Sequence, residues 1–185
     1  MASPGPASSA SVNTQPITGS FNSSGILLQL VGPGGSAVNL PYAISQSATA
    51  VSLTGSVAET SMLSITIPAS IMGINGSLRL STVWSTTNNV NNKTITTKFG
   101  GTTASTAVLA SCATYREQRQ ISNRGSLSSQ VTSTGAAGGW GVSSSAIVTL
   151  TKDTSIDQIL SVTGTLANAG DTMTLESYVL EVIPS

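Results

Sequence analysis

Apolar and polar residues alternate in short blocks along this chain, and turn residues separate the blocks. Ile26-Leu27-Leu28-Gln29-Leu30-Val31 runs into Gly32-Pro33-Gly34-Gly35, a combination that stops a strand. Leu63, Ile65 and Ile67 alternate with Met62, Ser64 and Thr66 until Pro68 ends the run. Leu78, Leu80, Thr82 and Trp84 fall on one side of the next block, with Ser77, Arg79, Ser81 and Val83 opposite. In Thr94-Ile95-Thr96-Thr97-Lys98-Phe99, Ile95 and Phe99 share a face. Comparable blocks lie at about 104–111, 145–151, 158–165 and 172–183. A period of two with β-branched enrichment predicts strands. Asn75-Gly76, Gly100-Gly101, Gly135 to Gly141 and Ala169-Gly170-Asp171 supply the turns between them.

No segment carries a 3.6-residue apolar stripe longer than two turns. Residues 113–121 fit a short helix, but alternation of Tyr115, Glu117, Arg119 and Ile121 fits a strand as well. Roughly eight to ten strands without a sustained internal repeat predict an all-β fold, an antiparallel β-sandwich that is jelly-roll-like. Residues 1–25 differ from the rest. They are rich in Ser, Ala, Pro, Gly and Asn, and Pro4, Pro6 and Pro16 favour extended backbone. The expected organisation is an extended N-terminal arm over 1–25, lying on its own domain or draped over a neighbouring subunit, and a sandwich domain over 26–185.

Charge narrows the range of functions. Only 8% of the 185 residues are charged, against about 25% in a typical domain. Seven Lys+Arg balance seven Asp+Glu, so no cationic patch is available for a phosphate backbone and no nucleic-acid partner is expected. Ser and Thr together make up 57 residues, 32 Ser and 25 Thr. The polar surface is therefore hydroxyls, amides and glycine backbone. Such a surface is easier to strip of water than an ionic one, which suits a subunit covered by partners in a fixed array, or one exposed outside a cell. Hydrophobic residues are 39% and mean hydropathy is +0.22, enough for a core. No stretch reaches the roughly 20 apolar residues that span a bilayer, so no membrane partner is expected. The first residues lack the cationic and apolar regions of a secretory signal.

Candidate chemistry is sparse. There is no His, which removes imidazole acid–base catalysis and most zinc sites. The lone Cys112 follows Leu109-Ala110-Ser111 and reads as a buried structural thiol, because no histidine can activate it. The acids are Glu59, Glu117, Asp153, Asp157, Asp171, Glu176 and Glu181. A glycosidase needs two of them about 5–10 Å apart across a cleft. Asp153 and Asp157 flank a turn, and Asp171 follows Gly170 as a turn-supporting residue. Gly135-Ala136-Ala137-Gly138-Gly139-Trp140-Gly141 lacks the Lys-Ser/Thr ending of a phosphate loop. Sequons at Asn22, Asn75 and Asn92 are what chance produces in so hydroxyl-rich a chain. No catalytic residue, cofactor or metal site is expected, and the chain is not expected to be an enzyme.

The densest charge cluster is Arg116, Glu117, Arg119 and Arg124. It reads as a solvated strand edge that blocks unwanted pairing, or as an intersubunit ion-pair network, since Arg pairs bidentately with carboxylates. A polyanion site is a third reading. Trp140, in its glycine-rich loop, can tuck inward, meet another subunit or stack on a sugar. Arg116, Glu117, Arg119, Arg124 and Trp140 are the candidate subunit interface.

The middle and C-terminal parts carry an ordered set of motifs: Ile67-Pro68-Ala69, Met72-Gly73-Ile74-Asn75-Gly76-Ser77-Leu78-Arg79, Trp84, Asn91-Asn92-Lys93-Thr94, Phe99-Gly100-Gly101-Thr102, Ser122-Asn123-Arg124, Gly138-Gly139-Trp140-Gly141 and Leu166-Ala167-Asn168-Ala169-Gly170-Asp171-Thr172-Met173-Thr174-Leu175-Glu176-Ser177. Across about residues 60–183 this order resembles small β-rich structural proteins of tailed-bacteriophage virions. The resemblance implies a non-enzymatic β-sandwich, homotrimeric, found as head decoration or cement proteins, head fibres or tail fibres. A capsid decoration protein on the capsid exterior, binding between major capsid protein subunits, is the expected role. The alternative is a head or tail fibre module that recognises a host surface glycan through loops such as 135–141.

Overall fold

The computed structural model describes residues 18–21, 27–31, 37–38, 40–133 and 145–185. The chain divides into two units, 1–40 and 41–185. In the first, β1 (Thr18–Phe21), β2 (Leu27–Val31) and β3 (Ala37–Val38) form an antiparallel sheet in that order. β1 lies within the segment expected as an arm and pairs with β2 from Thr18↔Val31 to Phe21↔Leu27. The rest of 1–25 falls outside the described residues, as does the Gly32–Gly35 turn.

The second unit is a sandwich of two antiparallel sheets, and no helix occurs among the described residues. Its strands are β4 (Tyr42–Ser47), β5 (Val51–Thr54), β6 (Thr60–Ile67), β7 (Ser77–Thr86), β8 (Lys93–Phe99), β9 (Thr102–Leu109), β10 (Thr114–Asn123), β11 (Gln130–Ser133), β12 (Ile147–Leu150), β13 (Gln158–Leu166) and β14 (Thr172–Ile183). The larger sheet runs β12-β11-β10-β7-β14-β4, with β5 sharing the β14 edge beside β4, and the smaller runs β6-β13-β8-β9. β14, twelve residues long, carries β4 along one half of its edge and β5 along the other.

The pairing is nested. The first strands of the unit, β4 and β5, pair with the last, β14; β6 pairs with β13; β7 pairs with β10; β8 pairs with β9. This doubled-over hairpin is the jelly roll, with β11 and β12 added as a hairpin that widens the larger sheet. The ambiguous segment 113–121 is β10. It sits between β7 and β11 and pairs with β7 in unbroken register from Thr114↔Ser85 to Ser122↔Ser77. Nine consecutive ladder pairs outweigh its weak helical pattern.

The alternation read along the chain maps onto the two faces of each strand. Leu78, Leu80, Thr82 and Trp84 point into the sandwich, as do Leu175, Leu180 and Val182 of β14. The opposing layer contributes Ile67, Ile95, Phe99, Leu160, Val162 and Leu166. Trp84 and Phe99, both 0% exposed, fill the core between short aliphatic side chains. The buried Trp84 indole N–H donates to Thr82 Oγ1 at 2.8 Å, so it leaves no unmatched donor. Met62 departs from the expected polar side of β6: the register slips between Val162 and Thr163 opposite it, and this bulge turns Met62 into the core. Gly164 has no side chain because Met173 fills the space. A Cβ there would meet Met173 Sδ at 2.7 Å.

Candidate functional site: buried polar clusters and two outer sheet faces

The structure separates the charge cluster of β10. In register with Thr82 and Leu80, Glu117 and Arg119 face inward and are 2% and 4% exposed. Arg119 Nε donates to Glu117 Oε2 at 3.0 Å, and Tyr115 Oη donates to the same oxygen at 3.2 Å. Their own chain encloses this pair. Arg116 lies on the opposite, outward face, and Arg124, also exposed, follows the strand end. Trp140 and the loop 135–141 lie outside the described residues.

A second buried charge was hidden in the sequence. Lys93 begins β8 at an inward position, one step below Ile95, Thr97 and Phe99, and is 0% exposed. Its ammonium donates to the Asn91 carbonyl at 2.9 Å, to the Asn89 carbonyl at 3.4 Å and to Asn89 Oδ1, and lies 3.8 Å from Asp171 Oδ2. Asp171 accepts from Asn89 Nδ2 at 2.7 Å and from Asn91 Nδ2 at 3.1 Å. The Asn89 amide, with Asn91 and Lys93, holds the Asp171 carboxyl below its ordinary value against the opposing effect of burial. This oxygen cage ties the β7–β8 loop to the β13–β14 turn. Asp171 supports its turn as expected, since its N–H donates to the Asn168 carbonyl at 3.1 Å. The period-two pattern of β8, extended one residue back, is the signal that would have placed Lys93 inside.

At the other end, Asn123, Gln130 and Thr154 form a buried network. Gln130 Nε2 donates to Asn123 Oδ1 at 3.0 Å and to the Lys152 carbonyl at 2.9 Å. Gln130 Oε1 accepts from Lys152 N–H at 2.9 Å. Asn123 Nδ2 donates to Thr154 Oγ1 at 3.0 Å, and Thr154 Oγ1 donates to the Leu127 carbonyl at 2.7 Å. Gly76 sits beside this network because nothing larger fits: a Cβ would lie 1.9 Å from the Met72 carbonyl oxygen.

The remaining carboxylates are also engaged. Glu59 pairs with Lys98 at 2.6 Å and accepts from Thr163 Oγ1, which keeps its carboxyl below the ordinary range. Asp153 accepts from Ser155 N–H at 2.9 Å, and Asp157 Oδ1 from Ala69 N–H at 2.9 Å. Glu176 accepts from Ser85 Oγ, and Glu181 from Arg79 Nε at 2.9 Å. No group of three or more His, Cys, Asp or Glu that could hold a metal occurs among the described residues. Cys112 is half-buried rather than buried. It lies beyond β9, and its thiol donates to the Thr114 carbonyl at 3.0 Å.

The outward faces are where the composition shows itself. On the smaller sheet, the rungs read Ser61–Thr163–Thr96–Thr106, then Thr165–Thr94–Val108, then Ser64–Ser161–Lys98–Thr103. Most outward positions are hydroxyls, with Ile159 and Val108 exposed among them, and the charges on the face, Lys98 and Glu59, neutralise each other. β-branched threonine holds the strand while its hydroxyl keeps the face wetted. On the larger sheet, exposed Val83 and Val179 lie among Ser81, Ser177 and Gln118 on the central strands.

No protein-family model and no curated protein matches the chain. Two solved structures are similar to it at low identity. One is a sugar-binding protein, the EclA C-terminal domain, at 13% identity over 82% of this chain and 87% of that one, with a TM-score of 0.41. The other is the structure of infectious bursal disease virus Gx strain, at 14% identity over 92% of this chain and 46% of that one, with a TM-score of 0.28.

Proposed function

We propose that this protein is a structural component of a tailed-bacteriophage virion, a decoration protein on the head exterior that bridges major capsid subunits and has no catalytic role. The observation that carries the reading is the outer face of the smaller sheet, a ladder made mostly of hydroxyls, with exposed Ile159 and Val108 and one self-neutralised ion pair. Each hydroxyl both donates and accepts, so such a face can meet another neutral surface without stranding a charge. The order of motifs along residues 60–183 supports the virion setting. The mechanism is passive. Every bridging contact must be broken before capsomers separate, so stability is added by mass action on the assembled shell.

The carboxylates support a non-enzymatic role, because each holds a loop, turn or sheet partner. The fibre alternative rests on loop 135–141, which lies outside the described residues. Among residues 40–133 and 145–185 no aromatic is exposed: Trp84 and Phe99 are buried, and Tyr42, Tyr115 and Tyr178 are partly buried. The experiment is reconstitution. Purified protein is added to heads lacking it, and DNA release on heating is followed. Saturable binding with a raised release temperature is expected. Failure to bind heads, together with specific binding on a glycan array, would replace this reading with the fibre module.

A further inference from the structure

The loops at one end of the sandwich are tied to one another. Segments 55–59, 87–92, 110–113 and 167–171 all connect strands at that end. Gly55 N–H donates to the Ala169 carbonyl at 3.0 Å, Ala167 N–H to the Asn92 carbonyl at 2.9 Å and Ser111 N–H to the Asn89 carbonyl at 2.6 Å. These main-chain bonds link the four loops in series, and the Lys93–Asp171 cage locks two of them from inside. Loops that must be ordered on contact cost affinity. Here folding has already fixed them.

The same loops carry no loose charge. Their charged residues are Glu59 and Asp171; Glu59 is held by Lys98 at 2.6 Å, and Asp171 is buried in the cage. The opposite end differs, with Arg124, Asp153 and Asp157 exposed on the loops 124–129 and 151–157. Asn88, Asn92 and Ser111 are exposed on the neutral end, together with Val57 and Val90. Val90 is 81% exposed, the most of any large apolar side chain in residues 40–133 and 145–185. The outward rung Thr165–Thr94–Val108 of the smaller sheet borders this end, so the neutral surface continues from that face onto the loops.

We infer that this end is the tip that seats against the major capsid subunits, with Val90 as its apolar contact and the fixed asparagine-rich loop around it as a polar rim. A neutral partner surface meets this end without stranding a charge, whereas the opposite end would bury three. The cage and the main-chain bonds hold Val90 on a rigid support, as a contact loop requires. The expected homotrimer presents the tip in symmetry-related copies, so single contacts with a repeating shell add up. The inference rests on the decoration reading and deepens it, by naming the end of the molecule that meets the shell.

Titration of heads lacking the protein, with the bound chain measured after pelleting, tests it. Wild type is expected to saturate the heads. Val90→Asp and Asn92→Arg, both at exposed positions, should keep the wild-type melting temperature. Each should weaken binding about tenfold or more, because each strands a charge in the contact. Ile156→Asp, at an exposed apolar position on the opposite end, should bind as wild type does. Full-strength binding by Val90→Asp or Asn92→Arg, or an equal loss with Ile156→Asp, would overturn the tip assignment and leave the decoration reading standing. So would a Val90→Asp protein of lower oligomeric mass on sedimentation, which would make this end a contact between copies. A wild type that never binds heads removes the decoration reading and the tip with it.

Discussion

Replacing Lys93 by Met keeps the length of the side chain and removes its ammonium. At a site 0% exposed, that leaves the Asn89 and Asn91 carbonyls without their donor and the Asp171 carboxylate without its counter-charge. Breaking a buried ionic cluster from one side costs about 3–5 kcal/mol, because the remaining groups stay desolvated. For a domain near 150 residues this lowers the melting temperature by roughly 6–20 °C. The variant also has a distinct pH dependence. The Asp171 carboxyl is held below its ordinary value by Asn89, Asn91 and Lys93. A carboxyl depressed on folding gives stability that is complete above its unfolded value and is lost as pH falls through the folded one. Wild type therefore loses this contribution in acid, below about pH 4. Without the ammonium the carboxyl is held down less, so the difference between the two proteins is largest near neutrality and shrinks on acidification. Urea unfolding followed by far-ultraviolet circular dichroism, from neutrality to well below about pH 4, measures both effects. A Lys93→Met protein within about 1 kcal/mol of wild type at neutral pH, or a gap that widens in acid, would refute the cage as a stabilising element.

Arg119→Met should destabilise the fold by about 3 kcal/mol or more, and adding Glu117→Met should recover most of the loss; chemical denaturation of the three proteins gives the coupling. Gly76→Ala forces a Cβ to 1.9 Å from the Met72 carbonyl oxygen. It should fail to accumulate as soluble protein or melt far below wild type, whereas ordinary surface substitutions shift stability by about 0.5 kcal/mol. Trp84→Ala, at 0% exposure, should cost about 3–5 kcal/mol by the same assay. Lys98→Ala, by contrast, removes a part-exposed ion pair and should change stability by less than about 1 kcal/mol.

The strands with strong alternation were readable from the residues alone. β7, β13 and β14 have mostly apolar residues at alternate positions over long stretches, and β8 places Ile95 and Phe99 on one face, so only one register buries them. β4, β5 and β11 were not readable. Tyr42–Ser47, Val51–Thr54 and Gln130–Ser133 are short and rich in Ser, Thr, Gln or Ala. They become strands because β14 and β10 present free edges to them, a tertiary effect that no local pattern carries. The charge cluster on β10 shows the same limit. Alternation puts Arg116 and Glu117 on opposite faces, but which face meets the core depends on pairing with β7. The Lys93 cage joins residues about eighty positions apart in the chain, and that proximity follows from the nested pairing of the jelly roll.

The central claim is that this chain is a stoichiometric part of a phage head. Quantitative mass spectrometry of purified particles, with its peptides measured against those of the major capsid protein, tests that most directly. A fixed simple ratio of this chain to capsid subunits, constant from one preparation to the next, is the predicted result. Its absence from particles, or its presence only in the trace amounts of a tail or neck component, would contradict the account.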